Sequence, residues 1–108
     1  MSASLPPPLD QMVAAINGGD TDGFLALFSD KGAVIDWGRR FAGRAAIKKW
    51  SDKETIGARG QMTIISARRE NDRIAFTADW KSNVFSGTGD YLIILDGHRI
   101  RELRILES

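Results

Sequence analysis

Leu9, Met12, Val13 and Ile16 recur at intervals of three and four, the spacing that lays apolar side chains along one face of a helix. Gly18-Gly19 stops that helix, and Asp20 stands where a second helix needs its N-cap. Phe24, Leu27 and Phe28 form the buried face predicted for helix two, and Lys31-Gly32 is the turn leading out of it. The short apolar run Ala33-Val34-Ile35 reads as a strand ending on Asp36-Trp37. Gly38 to Gly43 predicts a tight bend with a short strand. Helix three follows, with Ala46, Ile47 and Trp50 on one side and Lys48 and Lys49 on the other, and Gly57 to Gly60 ends it.

From Gln61 onward the period changes to two. Met62 to Arg69 is rich in β-branched residues, and Glu70-Asn71-Asp72 marks a hairpin turn. Ile74, Phe76, Ala78 and Trp80 then alternate with Ala75, Thr77, Asp79 and Lys81. Ser86-Gly87-Thr88-Gly89 predicts a loosened stretch before Tyr91-Leu92-Ile93-Ile94-Leu95. Asp96-Gly97 turns the chain into a last strand, Arg99 to Leu106. Three helices followed by an antiparallel meander predict an α+β domain, not a parallel βαβ fold. No repeat or internal boundary divides the chain. One domain is expected over residues 9–108, after a flexible leader, residues 1–8, whose three consecutive prolines resist both helix and sheet.

Composition narrows the function classes. The chain has 108 residues, enough to bury roughly two-thirds of its unfolded surface in one core. It has no cysteine, which excludes disulfides, thiolate zinc sites and cysteine nucleophiles together. Fifteen Lys and Arg against fourteen Asp and Glu give a formal charge of +1, without the basic surplus of a nucleic-acid binder. No apolar run approaches the roughly twenty residues of a membrane span. Met1 to Pro8 lacks the basic start and apolar core of a signal peptide, so a cytoplasmic location is expected. His98, the sole histidine, follows the Asp96-Gly97 turn and has no carboxylate pair or cysteine beside it, so no metal site is expected. Gly87-Thr88-Gly89 lacks the strand-to-helix context of a phosphate loop, and no cofactor is implied.

The candidate chemistry sits at Asp36. A carboxylate in an apolar mouth has its charged form disfavoured, so its basicity rises and it can shuttle a proton. Its competing role is to end the strand by bonding the turn at Gly38. Tyr91, the only tyrosine, shares strand parity with Ile93 and Leu95 and would point inward as a donor; its competing role is packing at the core edge. Trp37, Trp50 and Trp80 are a heavy aromatic load. Trp50 and Trp80 fall on apolar faces, and Trp37 lies beside Asp36 at the expected rim; such walls suit a flat, ring-bearing ligand.

The Ala-Ala-Ile-Asn-Gly-Gly-Asp helix junction, Leu-Phe-Ser-Asp before the first strand, Gly43 with Ala46-Ile47 in helix three, and Asp96-Gly97 before the last strand together resemble the nuclear transport factor 2-like superfamily. That group includes ketosteroid isomerases and SnoaL-like polyketide cyclases. The resemblance implies a cone-shaped half-barrel, with three N-terminal helices packed on a curved, mainly antiparallel sheet. It also implies an apolar cavity opening near the helices, and a homodimer through the outer sheet face. Asp36 would take the place of the isomerase base. The partner donor's place on helix one is taken by Met12, which cannot donate usefully. The second donor's place falls near Tyr91. The superfamily's epoxide-hydrolase chemistry is disfavoured, because Thr77 stands where its arginine should be and Asp79 has outward parity.

The function expected is therefore a small-molecule cavity protein. Asp36 and Tyr91 are its catalytic candidates, and Met12, Ile16, Trp37, Trp50 and Trp80 its substrate-binding ones. The step implied is isomerase- or cyclase-type proton transfer on an apolar cyclic substrate, without nucleic-acid or membrane partners. The alternative is a non-catalytic dimerisation or ligand-binding module, its cavity filled by side chains such as Met12 and Trp80.

Overall fold

A computed structural model describes residues 5–106; residues 1–4 of the expected leader lie outside them. The elements run α1 (Leu9–Gly18), α2 (Thr21–Ala26), β1 (Phe28–Asp36), β2 (Arg39–Ala42), α3 (Arg44–Glu54), β3 (Gln61–Glu70), β4 (Arg73–Lys81), β5 (Ser86–Asp96) and β6 (Arg99–Ile105). The three helices pack against one six-stranded, curved open sheet of order β2-β1-β6-β5-β4-β3. Every pairing is antiparallel except β1 with β6. The domain is thus α+β, with a mixed, mostly antiparallel sheet.

Helix α1 buries its stripe of Leu9, Met12, Ala15 and Ile16. It stops because Gly19 takes a left-handed conformation (φ 71°), open at little cost only to glycine. The Gly19 amide donates to the Ile16 carbonyl and the Asp20 amide to the Ala15 carbonyl, which satisfies the helix's last acceptors. The Asp20 carboxylate then accepts from the Gly23 amide at 2.9 Å and caps α2. Ahead of α1, Leu5 packs on the core, and the Leu9 amide donates to the Pro6 carbonyl at 2.9 Å.

Two elements differ from the sequence reading. Helix α2 ends at Ala26, and Phe28 opens β1 instead of closing the helix, so Lys31-Gly32 lies within β1 and not in the turn expected there. Strand pairing decides this: the Ile100 amide donates to the Leu27 carbonyl at 2.8 Å, and Phe28 lies opposite Ile100. Phe24 and Phe28 still meet edge-on, ring centroids 5.3 Å apart, so the aromatic contact survives the change of element. Ser86 to Gly89, expected to be loose, is regular strand: Gly87 pairs with Trp80 and Gly89 with Ala78.

Strand parity otherwise holds. Ile74, Phe76, Ala78 and Trp80 of β4 and Tyr91, Ile93 and Leu95 of β5 are all buried on the inner face. Asp79 points outward and accepts from the Thr88 hydroxyl. Register shifts in β3 between Ile64 and Ser66, in the β5–β6 pairing beside Leu95, and in β1 between Phe28 and Ala33 interrupt the ladder. Such irregularities bend strands and accentuate twist, and here they accompany the curvature that opens a hollow beneath the helices. Among the described residues no helix is long and apolar enough to cross a membrane.

Candidate functional site

Two inner-face positions of β5 carry no side chain, and the Phe85 ring lies over one of them, Gly87. Gly87 and Gly89 share the inward parity of Tyr91, and the residue opposite Gly89 is only Ala78. A Cβ placed on Gly89 would meet no atom closer than 3.8 Å, the nearest being those of the Tyr91 ring. Next to this open stretch, and sharing Tyr91 with it, lies a cavity of about 400 Å³, at the small end of ligand pockets. Ile16, Met62, Leu103 and Ile105 form its aliphatic surface, and Trp37, Trp50, Trp80, Phe85 and Tyr91 its aromatic walls. Trp37, Val84 and Phe85 stay largely exposed, so the apolar lining continues out to solvent.

Polar groups gather at one end, and the β1–β2 hairpin brings them there. Trp37 and Gly38 both have positive φ (52° and 85°), as a two-residue I′-type turn demands, and this pairs Asp36 directly with Arg39. A tryptophan in left-handed backbone costs roughly 1–2 kcal/mol, and here that conformation carries the indole at the cavity mouth. Across the turn, Arg39 Nη2 donates to Asp36 Oδ2 at 2.5 Å. The same guanidinium forks onto Glu54, Nη1 to Oε2 at 3.1 Å and Nη2 to Oε1 at 2.8 Å. Helix α3 supplies Glu54 one turn beyond Trp50, whose indole Nε1 also donates to Asp36 Oδ2, at 2.9 Å. Both donors to the Asp36 carboxylate use one oxygen. Oδ1 has no hydrogen-bond partner among the described residues and keeps some accessible surface, on a residue that lines the cavity.

Two titrating groups of the cavity lining are displaced from their usual ranges. The Arg39 guanidinium is held above its ordinary value, first by its hydrogen bond to Glu54, with further help from the charges of Asp36 and Glu54. Burial pushes the Tyr91 phenol up, and the Asp36 charge pushes it further. Tyr91 therefore remains a neutral O–H donor at physiological pH. Its ring stacks on Phe76, centroids 4.9 Å apart and planes 5° from parallel. Its hydroxyl has no protein partner among the described residues, and no group of three or more metal-ligating side chains occurs among them.

Six of the seven residues singled out from the sequence meet around this cavity: Asp36, Tyr91, Ile16, Trp37, Trp50 and Trp80. Met12 does not join them. It is fully buried in the core, one turn nearer the start of α1, and Ile16 is the helix's residue at the cavity. The side-chain partners of Asp36 are Arg39 and Trp50 rather than the backbone of the turn. Sequence reasoning missed Arg39, Glu54, Val84 and Phe85, and did not single out Thr55, Met62, Leu103 or Ile105 as lining residues. The Trp37-Gly38 pair was a signal for Arg39, since a two-residue turn places the flanking residues face to face. Glu54 lies four residues beyond Trp50, on the same helix face. Val84 and Phe85 sit in a loop that no periodicity marks.

The architecture is a curved sheet closed by helices over an aromatic hollow, with a carboxylate at one end. Comparison with solved structures gives that architecture its fold name. The chain has the fold of the nuclear transport factor 2-like superfamily. A candidate polyketide cyclase from Sinorhizobium meliloti superposes with a TM-score of 0.83 at 23% identity, over 94% of this chain and 95% of that one. A protein of ketosteroid isomerase-like fold from Catenulispora acidiphila, in complex with trimethylamine, gives 0.81 at 22% identity, over 97% and 88%. The Δ5-3-ketosteroid isomerase from a Mycobacterium species gives 0.80 at 20% identity, over 93% and 89%. No family model and no curated protein sequence matches.

Proposed function

We propose that the protein binds an apolar, cyclic small molecule in this cavity and that Asp36 moves a proton on it, in an isomerase- or cyclase-type step. The observation that carries the reading is the free Oδ1 of Asp36 on an aromatic wall that also holds the unpartnered, neutral Tyr91 hydroxyl. Taking a proton from carbon beside a carbonyl requires a donor for the oxyanion that develops, and Tyr91 is that donor. Arg39 and Trp50 hold Oδ2, so Oδ1 is presented in one orientation rather than sampled by rotation. Moving a proton within one molecule changes no oxidation state and calls for no cofactor. The structural neighbours, a steroid isomerase and a trimethylamine complex among them, support a small-molecule role. Dimerisation through the outer sheet face, where Ile65 is exposed, belongs to the same proposal.

One observation favours a second reading, a ligand-binding module without catalysis. The Asp36–Arg39–Glu54 network already satisfies much of the carboxylate's bonding, and helix α1 contributes no second donor. The discriminating experiment follows α-proton exchange of cyclic ketones in D₂O by NMR. Exchange accelerated by the wild type and lost in Asp36→Asn supports catalysis. Ketones that bind without accelerated exchange leave the binding module.

A further inference from the structure

The charge around the cavity is unbalanced, and the imbalance selects a ligand class. Its lining includes two carboxylates, Asp36 and Glu54, and one cation, Arg39. Arg39 lies between the two acids and bonds both. Among the lining residues one guanidinium stands against two carboxylates, an excess of one negative charge. Lys49 and Lys53 line the adjoining recess behind Arg39 and Glu54 and pair with neither acid among the described residues. The free acceptor beside Arg39, Asp36 Oδ1, calls for a donor from the ligand.

The remaining walls point the same way. Trp37, Trp50, Trp80, Phe85 and Tyr91 line the cavity, and an aromatic ring that meets a ligand with its face presents the negative pole of its quadrupole, which attracts cations and repels anions. Tyr91 adds an independent sign that a ligand is wanted. It is 8% exposed, and its hydroxyl, beside the open space at Gly89, has no protein partner among the described residues.

We infer that the cavity takes an apolar, ring-bearing molecule carrying one protonated amine, with the ammonium seated at Asp36 against the aromatic walls. The inference rests on the cavity being the ligand site, as proposed above, and does not depend on whether Asp36 also moves a proton. A carboxylate-bearing ligand of the same shape is disfavoured by the net charge. A neutral one leaves that charge unanswered.

The test uses three probes with one apolar body: 2-(1-naphthyl)ethylamine, 2-(1-naphthyl)ethanol and 1-naphthylacetate, titrated calorimetrically into the full chain at pH 7 and low salt. The expected order is amine, then alcohol, then carboxylate, with the amine ahead of the alcohol by about tenfold or more. Net charge predicts opposite signs in the variants. Asp36→Asn and Glu54→Gln each neutralise the excess, and each should erase most of the amine's lead over the alcohol, read as the ratio of the two affinities within the same variant. Arg39→Gln adds to the excess and should widen the preference. Circular dichroism checks that each variant is folded. Alcohol binding equal to or tighter than the amine overturns the inference and leaves the cavity reading standing. Failure of all three probes to bind the folded wild type overturns both.

Discussion

Gly89→Val should make this protein more stable and worse at binding, a sign split that only an open cavity wall predicts. Gly89 sits within β5 with a backbone that valine adopts freely, and its Cβ would meet nothing closer than 3.8 Å. Replacing a strand glycine at a compatible position stabilises by about 0.4–1 kcal/mol through the unfolded chain. The strand preference of a β-branched residue contributes up to about 1 kcal/mol more. Together these give about 1–2 kcal/mol, and for a domain near 100 residues each kcal/mol raises Tm by about 4–8 °C. The γ-carbons would meanwhile occupy space beside the Tyr91 hydroxyl, 3.9 Å from the Cβ, where a ligand must sit. Binding of the naphthyl probes should weaken by at least about tenfold, equivalent to about 1.4 kcal/mol. Urea unfolding followed by tryptophan fluorescence reads the first effect as a higher midpoint at unchanged slope. Calorimetry reads the second, and Gly89→Ala should show most of the stability gain with less loss of binding. A destabilised Gly89→Val would refute the open wall. A stabilised one that binds normally would refute the placement of the ligand.

Two further outcomes follow from the site. Because Tyr91 is the only tyrosine, its ultraviolet titration reports one group; its midpoint should lie above 10 and fall in Asp36→Asn, and an unchanged midpoint would deny the coupling between them. The same shift has a sign in stability: with the folded pKa raised, the contribution is whole below the unfolded value near 10 and is lost as pH climbs through the folded one, so Tyr91→Phe should flatten the alkaline decline. Trp50→Phe keeps an aromatic ring facing Phe24 and Phe41 but deletes the indole bond to Asp36, one of two donors on that oxygen. Urea unfolding should register a loss of about 1.5–3 kcal/mol, the range for a hydrogen bond to a charged group, and a loss under about 0.5 kcal/mol would show that Arg39 alone suffices.

Strand parity alone was enough to turn Trp80 and Tyr91 inward, because a period of two leaves each side chain only two faces to choose from. The alternation of Ile74, Phe76, Ala78 and Trp80 made that choice explicit. Asp36 was visible as the polar end of an apolar run. Helix faces were harder to place. Met12 and Ile16 lie on one stripe, and nothing in the stripe says which turn of it meets the cavity and which the core. Phe24 and Phe28 fit a helix at spacing four, and only the long-range partner Ile100 moves Phe28 into a strand. The Arg39–Glu54 pair was invisible for a related reason: both read as ordinary surface charges until the hairpin and the end of α3 bring them together.

The parallel pairing of β1 with β6 has a consequence for how binding and folding are linked. Asp36 lies opposite Ile105, and β6, which supplies Leu103 and Ile105 to the wall, is flanked in the sheet by β1 and β5. Without β6 the sheet separates into the β1–β2 hairpin and the β3–β4–β5 meander, with the carboxylate on one piece and Tyr91 on the other. That join must close a long loop before it gains any contact, which places it among the slower steps of folding. Site and tertiary structure therefore form one cooperative unit. A bound ligand would protect every backbone amide of the central strands from exchange to a similar degree, not merely those near the mouth.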